Sequence, residues 1–145
     1  MVMESGKRVI SGTFGEVWLD GEIVAECTAL QAKLTFNKED VLICGQMEVD
    51  TKVMSVKGAG SLTTHKVFTR MGQLLSDKIT NGKDVRFTIV SKLADPDAYG
   101  AERVSFSNVS FDDLTIMDWA AGRKGEITAP FTYTKHRYLN MIRVA

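Results

Sequence analysis

The sequence predicts a mainly β, antiparallel domain (α+β) with a single helix. Three observations carry this. Apolar and polar residues alternate with a period of two along most of the chain, as half-buried strands require. One stretch only, residues 67–79, spaces its apolar residues as a helix does. No alternation of strand and helix patterns suggests a parallel, crossover-connected sheet. The chain has 145 residues, so one domain, 1–145, is expected.

Residues 1–13 read as an N-terminal arm, polar and Gly-containing, with a short apolar patch at Val9 and Ile10. Asp20-Gly21 between two apolar runs predicts a hairpin, because a tight primed turn needs positive φ. It pairs Gly15–Leu19 with a strand expected from about Glu22 to Phe36. That strand slips in phase: Cys27 and Ala29 alternate one way, and Leu30, Ala32, Leu34 and Phe36 the other. Such a slip reads as a β-bulge, which bends and twists a strand.

Residues 37–57 read as a long connecting loop. It is unusually apolar, carrying Val41, Leu42, Ile43, Met47, Val49, Val53 and Met54; a solvated loop should not present so much apolar surface. Lys57–Thr63 is a strand of small residues. Val67, Phe68, Met71, Leu74, Leu75 and Ile79 then mark an amphipathic helix, stopped by Asn81-Gly82.

From Asp84 to Leu93 the inward row is Val85, Phe87, Ile89 and Leu93. Arg103–Phe111 slips in phase between Phe106 and Val109. Asp112-Asp113 mark a bend, and Leu114–Met117 is expected to be extended again. Glu126–Thr134 alternates most cleanly, with Ile127, Ala129, Phe131 and Tyr133 inward. Residues 136–145 read as a C-terminal arm. The sum is about seven strands and one helix.

Composition narrows the function. The hydrophobic fraction is 44% and the charged fraction 25%, ordinary for a globular domain with a core. Eighteen basic and eighteen acidic residues cancel, and a duplex-binding protein usually carries a basic excess. Cys27 and Cys44 are too few for a disulfide scaffold and lack zinc-site spacing; they are expected to be reduced, buried thiols. Nothing near the N-terminus has the apolar core of a cleavable signal, and no apolar run approaches a membrane span.

No constellation supports catalysis, a cofactor or a metal. His65 and His136 lack ligands at metal spacing. KGAGSLTTHK has its glycines too close for a phosphate loop and no Gly-Lys-Ser/Thr; small residues that let packed strands approach explain it better. Asp95 and Asp97, and Asp112, Asp113 and Asp118, lack the spacing of a calcium loop and are expected as solvated turn residues. Cys44 and the serines sit in no nucleophile elbow.

The strand edges are more informative. Only Pro96 and Pro130 are available to blunt them, and an open edge pairs readily with another chain. A subunit that completes its sheet against neighbours, in a barrel shared between chains, follows.

An ordered set of segments then carries a resemblance. SGTFGEVWLDGEIVAE, the apolar 37–57 segment, KVFTRMGQLL, ERVSFSNVSFDDLTI and EITAPFTYT are similar to phage tail tube proteins of the PBSX type, found in contractile tails and phage-tail-like bacteriocins. The resemblance implies two packed antiparallel sheets, a β-barrel-like sandwich flanked by one helix. It implies hexameric rings in which four strands per subunit join one barrel, stacked into a tube. The implied partners are further copies of the chain, the sheath, the baseplate, a tape-measure protein and a tail terminator. DNA would pass transiently in a phage; in a bacteriocin the tube would pierce an envelope and conduct ions. The implied location is a virion or tail-like particle assembled in the bacterial cytoplasm. Gln31, Lys33, Thr35, Ala59, Ser61, Thr63, Thr128, Thr132 and Thr134 become candidates for the lumen wall. Val41, Leu42, Ile43, Met47, Val49, Val53 and Met54 become candidates for contact between subunits. The alternatives are the tube of a type VI secretion-like system and, in a different class, a monomeric β-barrel ligand-binding module. A tube protein polymerises at high concentration; a binding module does not.

Overall fold

A computed structural model describes residues 5–24, 27–65 and 70–142. Eight strands run β1 (Gly15–Leu19), β2 (Glu22–Ile23), β3 (Cys27–Val41), β4 (Asp50–His65), β5 (Phe87–Leu93), β6 (Glu102–Phe111), β7 (Glu126–Tyr133) and β8 (Lys135–Asn140), with helix α1 (Arg70–Thr80) between β4 and β5. All pairings are antiparallel, in the order β2-β1-β5-β6-β7-β4-β3, and β8 also pairs with β6.

The sheet does not close into a barrel within one copy. Its two halves fold together across β6, which pairs with β5 and β8 along most of its length and with β7 only at Ser110 and Phe111. Val17, Leu19, Phe87 and Ile89 from one half share a core with Leu62, Phe131 and Tyr133 from the other. Thus the expected two-layer β architecture with one helix is present, as two halves of one continuous sheet. Aromatic edges meet faces across the core, Phe106 against Tyr133 at 4.9 Å and Phe87 against Phe111 at 5.5 Å between centroids.

The Asp20-Gly21 turn forms as its sequence demands, with φ of 50° and 86°. Asp20 also fastens the hairpin to β5: its N–H donates to the Thr88 carbonyl at 2.9 Å, and its Oδ1 accepts the Thr88 N–H at 2.8 Å. The strand expected over Glu22–Phe36 is two strands, β2 and β3; Ala25 and Glu26 between them lie outside the described residues. The slip in β3 is a bulge at Thr28, since Cys27 pairs with Thr64 and Ala29 with Thr63. Ala29 therefore faces outward, while Cys27, Leu30, Ala32 and Leu34 pack on the core. The slip in β6 is also a bulge. Ser107 and Asn108 together oppose Thr88, and Asn108 takes a φ of 58°, which asparagine tolerates better than most residues.

Helix α1 ends as predicted, with Gly82 at φ 79° and its N–H donating to the Ile79 carbonyl at 3.0 Å. Val67 and Phe68 of the expected helical face lie outside the described residues. Ser76, Ile79 and Thr80 line a shallow cleft with Phe111–Leu114, which sets the last turns of α1 beside the end of β6.

Four expectations need correction. Residues 37–57 are not a loop: β3 and β4 run on through them as a two-stranded ribbon, leaving only residues 42–49 as its tip. Leu114–Met117 is not a strand. The reason lies in Pro130. Its carbonyl accepts the Asp112 N–H at 2.8 Å, so its nitrogen faces the same side, where it has no hydrogen to offer β6. The ladder stops there. Cys44 is exposed rather than buried, because it sits at the ribbon tip. Asp95 is buried rather than solvated.

Both arms are partly structured. Short 3-10 turns occur at Gly6–Arg8 and Gly12–Phe14. Asp95 holds this arm: Oδ2 accepts the Ser11 N–H and Oδ1 the Asp97 N–H, each at 2.9 Å. The Arg8 guanidinium lies 4.9 Å from the Tyr99 ring centre. At the other end, the first half of the expected C-terminal arm is β8; residues 143–145 lie outside the described residues.

Candidate functional site

The three strands β3, β4 and β7 build a two-sided wall whose sides the register fixes. One side reads, across the strands, Ala29–Thr63–Thr128, Gln31–Ser61–Pro130, Lys33–Ala59–Thr132 and Thr35–Lys57. Side chains alternate along a strand and match across it, so these residues share one face. The 3.3 Å hydrogen bond between the Thr63 and Thr128 hydroxyls joins it across β4 and β7. Every residue assigned to the lumen by resemblance therefore lies on this face except Thr134. That residue sits at the bend between β7 and β8, where its hydroxyl accepts the Asn108 amide N–H at 2.7 Å.

The other side reads Leu30–Leu62–Ala129, Ala32–Gly60–Phe131 and Leu34–Gly58–Tyr133. Here two glycines of β4 face two aromatic rings of β7. A Cβ on Gly58 would meet the Tyr133 ring at 2.5 Å; one on Gly60 would collide with the Gln31 carbonyl and lie 2.8 Å from the Phe131 ring. The rings lie where β4 has no side chains, and Tyr133 reaches across to β3, donating its hydroxyl hydrogen to the Lys33 carbonyl at 3.0 Å. Glycines in the middle strand thus let large rings back a thin wall.

At the end of this wall, β3 and β4 continue past the core. From Gly58 to Asp50 the ribbon extends about 26 Å, at roughly 3.3 Å per residue. A second bulge at Met54 twists it, since Asn37 pairs with Ser55 and Lys38 with Val53. Phe36 and Val56 hold the positions where the core face would continue, and both are exposed. Val41, Leu42, Ile43, Met47, Val49, Val53 and Met54 are exposed as well. Nothing else in the described chain packs over this apolar surface. The outer edge of β3, in a strand of 15 residues, pairs with no strand among the described residues.

Sequence reasoning missed one apolar surface. Ile116, Met117 and Trp119, in the segment joining β6 to β7, are all exposed. Three large apolar residues within four positions, flanked by Asp112, Asp113 and Asp118, were the available signal. It was masked because their spacing imitates a strand. Among the described residues no group of three or more His, Cys, Asp or Glu side chains is placed to hold a metal ion. His136 makes edge contacts with Tyr133 and Tyr138 at 6.5 and 5.7 Å.

A family profile described as phage tail tube protein matches residues 2–140. The phage-like element PBSX protein XkdM of Bacillus subtilis (strain 168) is 32% identical over 129 residues, which span 88% of this chain and 88% of that protein. The fold is similar to a chain in the extended sheath–tube complex of an extracellular contractile injection system, PVC. There the TM-score is 0.69 at 9% identity, covering 92% of this chain and 93% of that one. It is also similar to a chain in the tube-terminating cap of the anti-feeding prophage, with a TM-score of 0.70 at 12% identity, covering 97% and 95%.

Proposed function

The chain belongs to the phage tail tube family, and from that premise we propose that copies of it join edge to edge into hexameric rings that stack into the inner tube of a contractile phage tail or phage-tail-like bacteriocin. The observation that carries this reading is the two-sided wall with an unpaired edge. One face of β3-β4-β7 carries hydroxyl, amide and lysine side chains, the other is backed by core, and the outer edge of β3 pairs with no strand among the described residues. Four strands, β6, β7, β4 and β3, contribute to this half of the sheet. Joined around a ring, they would form a barrel whose inner surface carries Gln31, Lys33, Thr35, Ala59, Ser61, Thr63, Thr128 and Thr132. Hydroxyl and amide groups keep such a wall hydrated, and small side chains leave the bore open to a passing polymer or ions.

In this reading the ribbon grips neighbouring copies through Val41, Leu42, Ile43, Met47, Val49, Val53 and Met54. Burying each is worth roughly 1.5–3 kcal/mol before ordering costs are subtracted. The surroundings of the tube are a sheath, a baseplate, a tape-measure protein and a terminator, all assembled in the bacterial cytoplasm before the particle is released. A monomeric ligand-binding barrel fits less well. Phe131, Leu62, Ile89 and Val109, all fully buried, fill the middle of the space between the two halves; an open cavity of about 660 Å³ remains between β1, β5 and β3, lined by Val17, Leu30 and Leu93 among others.

Electron microscopy and sedimentation of the purified chain test this. The wild type should form rings and tubes at high concentration. Ile43→Asp, or replacement of residues 41–54 by a tight turn, should give a folded monomer with an unchanged circular dichroism spectrum and no tubes. Normal tubes from either variant, or a wild type that stays monomeric when concentrated, would overturn the reading.

A further inference from the structure

The half of the sheet made by β6, β7, β4 and β3 has two lateral margins, and they differ in charge. Along its polar face one row reads Lys33–Ala59–Thr132–Ser110 and the next reads Gln31–Ser61–Pro130. Asp112 completes the second row: its N–H donates to the Pro130 carbonyl at 2.8 Å, and alternation along β6 puts it on the face of Ser110. At the β3 margin the charged side chains are Lys33 and, one strand in, Lys57; residues 27–36 and 57–64 contain no acidic residue. At the β6 margin, residues 110–126 carry Asp112, Asp113, Asp118 and Glu126 against Arg123 and Lys124, and Arg123 is already held by Asp118 at 2.7 Å. Lys33, Lys57 and Asp112 are exposed and form no ion pair among the described residues. Three inter-strand spacings, roughly 14 Å, separate Lys33 from Asp112 across one copy.

We infer that β3 of one copy pairs with residues 110–112 at the end of β6 of the next, and that Lys33 against Asp112 selects this seam. This rests on the tube reading and adds to it which margins meet and what makes them meet. Three observations select a second copy, held in the same orientation, as the occupant. First, both margins are open. The outer side of β3 pairs with no strand among the described residues, and β5 stops pairing with β6 at Val109, beyond which a cleft lies between residues 111–114 and the last turns of α1. Second, the directions match. The four strands alternate, so β3 and β6 run oppositely. Copies set side by side in one orientation therefore meet as an antiparallel pair, and the contact repeats until a ring closes. Third, charge discriminates. Two β3 edges paired on each other, the two-fold alternative, would bring only lysine charge to the wall. The rotational seam sets an ammonium against a carboxylate, and opposite charges across a strand pair are favoured while like charges are penalised.

Charge reversal tests this, because both side chains are exposed and neither holds the core. Lys33→Glu and Asp112→Lys, each alone, should fold with the wild-type circular dichroism spectrum. Each should need roughly tenfold more protein, or more than that, before rings and tubes appear by sedimentation and electron microscopy. Lys33→Gln, which introduces no like charge, should shift assembly by less. Mixed in equal amounts, the two reversed chains should assemble near the wild-type concentration, since alternating copies oppose a carboxylate to an ammonium at every seam. The double variant Lys33→Glu with Asp112→Lys should do the same alone. High salt should narrow the gap between the single variants and the wild type. Single variants that assemble as readily as the wild type, or a mixture of folded chains that stays unassembled, would refute the seam and leave the tube reading standing. A wild-type chain that forms neither rings nor tubes would refute both.

Discussion

Tyr133 shows how one side chain couples core to wall. Its ring covers Gly58 and packs against Phe106, while its hydroxyl reaches the Lys33 carbonyl. Burial first, and the charge of Tyr138 second, raise its phenol above the ordinary 10.0. A raised phenol favours the neutral, donating form in the folded state. Its contribution to stability is therefore fully present below pH 10 and is lost as the pH rises through the higher folded value. Urea unfolding of the chain should show a stability that falls above about pH 10, and Tyr133→Phe should flatten that fall. At pH 7 the same substitution should cost about 0.5–1.5 kcal/mol, the net worth of one hydrogen bond. An alkaline profile identical to that of the wild type would assign the loss to other groups. Asp95 is a second residue whose role the sequence hid. Asp95-Pro96-Asp97 reads as a solvated turn, yet its carboxylate binds an N–H from the distant Ser11, a tertiary contact that no local pattern announces.

Among the elements, β4 is the most constrained. Its central position between β3 and β7, with rings pressed on one side, leaves no room for a Cβ at Gly60. Gly60→Ala should destabilise the fold by about 1–3 kcal/mol, the usual cost of overpacking, as measured by denaturant unfolding. Gly72→Ala in α1, where a Cβ would meet nothing within 4 Å, is the control and should be neutral or slightly stabilising. The Asp20-Gly21 turn, the inward row of β7, the Gly82 stop and both bulges were legible because each rests on local chemistry or on a face that the core buries. The ribbon was not. Lys38, Glu39, Asp40, Lys52 and Val53 show no two-residue alternation because neither ribbon face is buried in a single copy, and the extra residue Met54 breaks the parity further. Periodicity reports burial, and here there was none to report. The false strand at Leu114–Met117 is the converse: its alternation is real, but Pro130 denies it a partner.

Taken whole, the molecule is an unclosed sheet folded on its own core, with a long edge that pairs with no strand among the described residues and apolar surface at both ends. The rows proposed to face the lumen were readable from the phase of each strand, but their alignment across β3, β4 and β7 needed the register. The seven apolar residues of the ribbon were readable as a group; the exposure of Ile116, Met117 and Trp119 was not, since their spacing imitates a strand. The projecting ribbon also has a practical consequence. It carries Lys38 and Lys52 on exposed backbone far from the core, and such projections are where proteases nick first. Brief trypsin treatment of the free subunit should clip at these two lysines, as read by mass spectrometry, while the polymerised form should resist. The rate of that clip would serve as a clock for incorporation, following subunits from solution into the growing filament without any label.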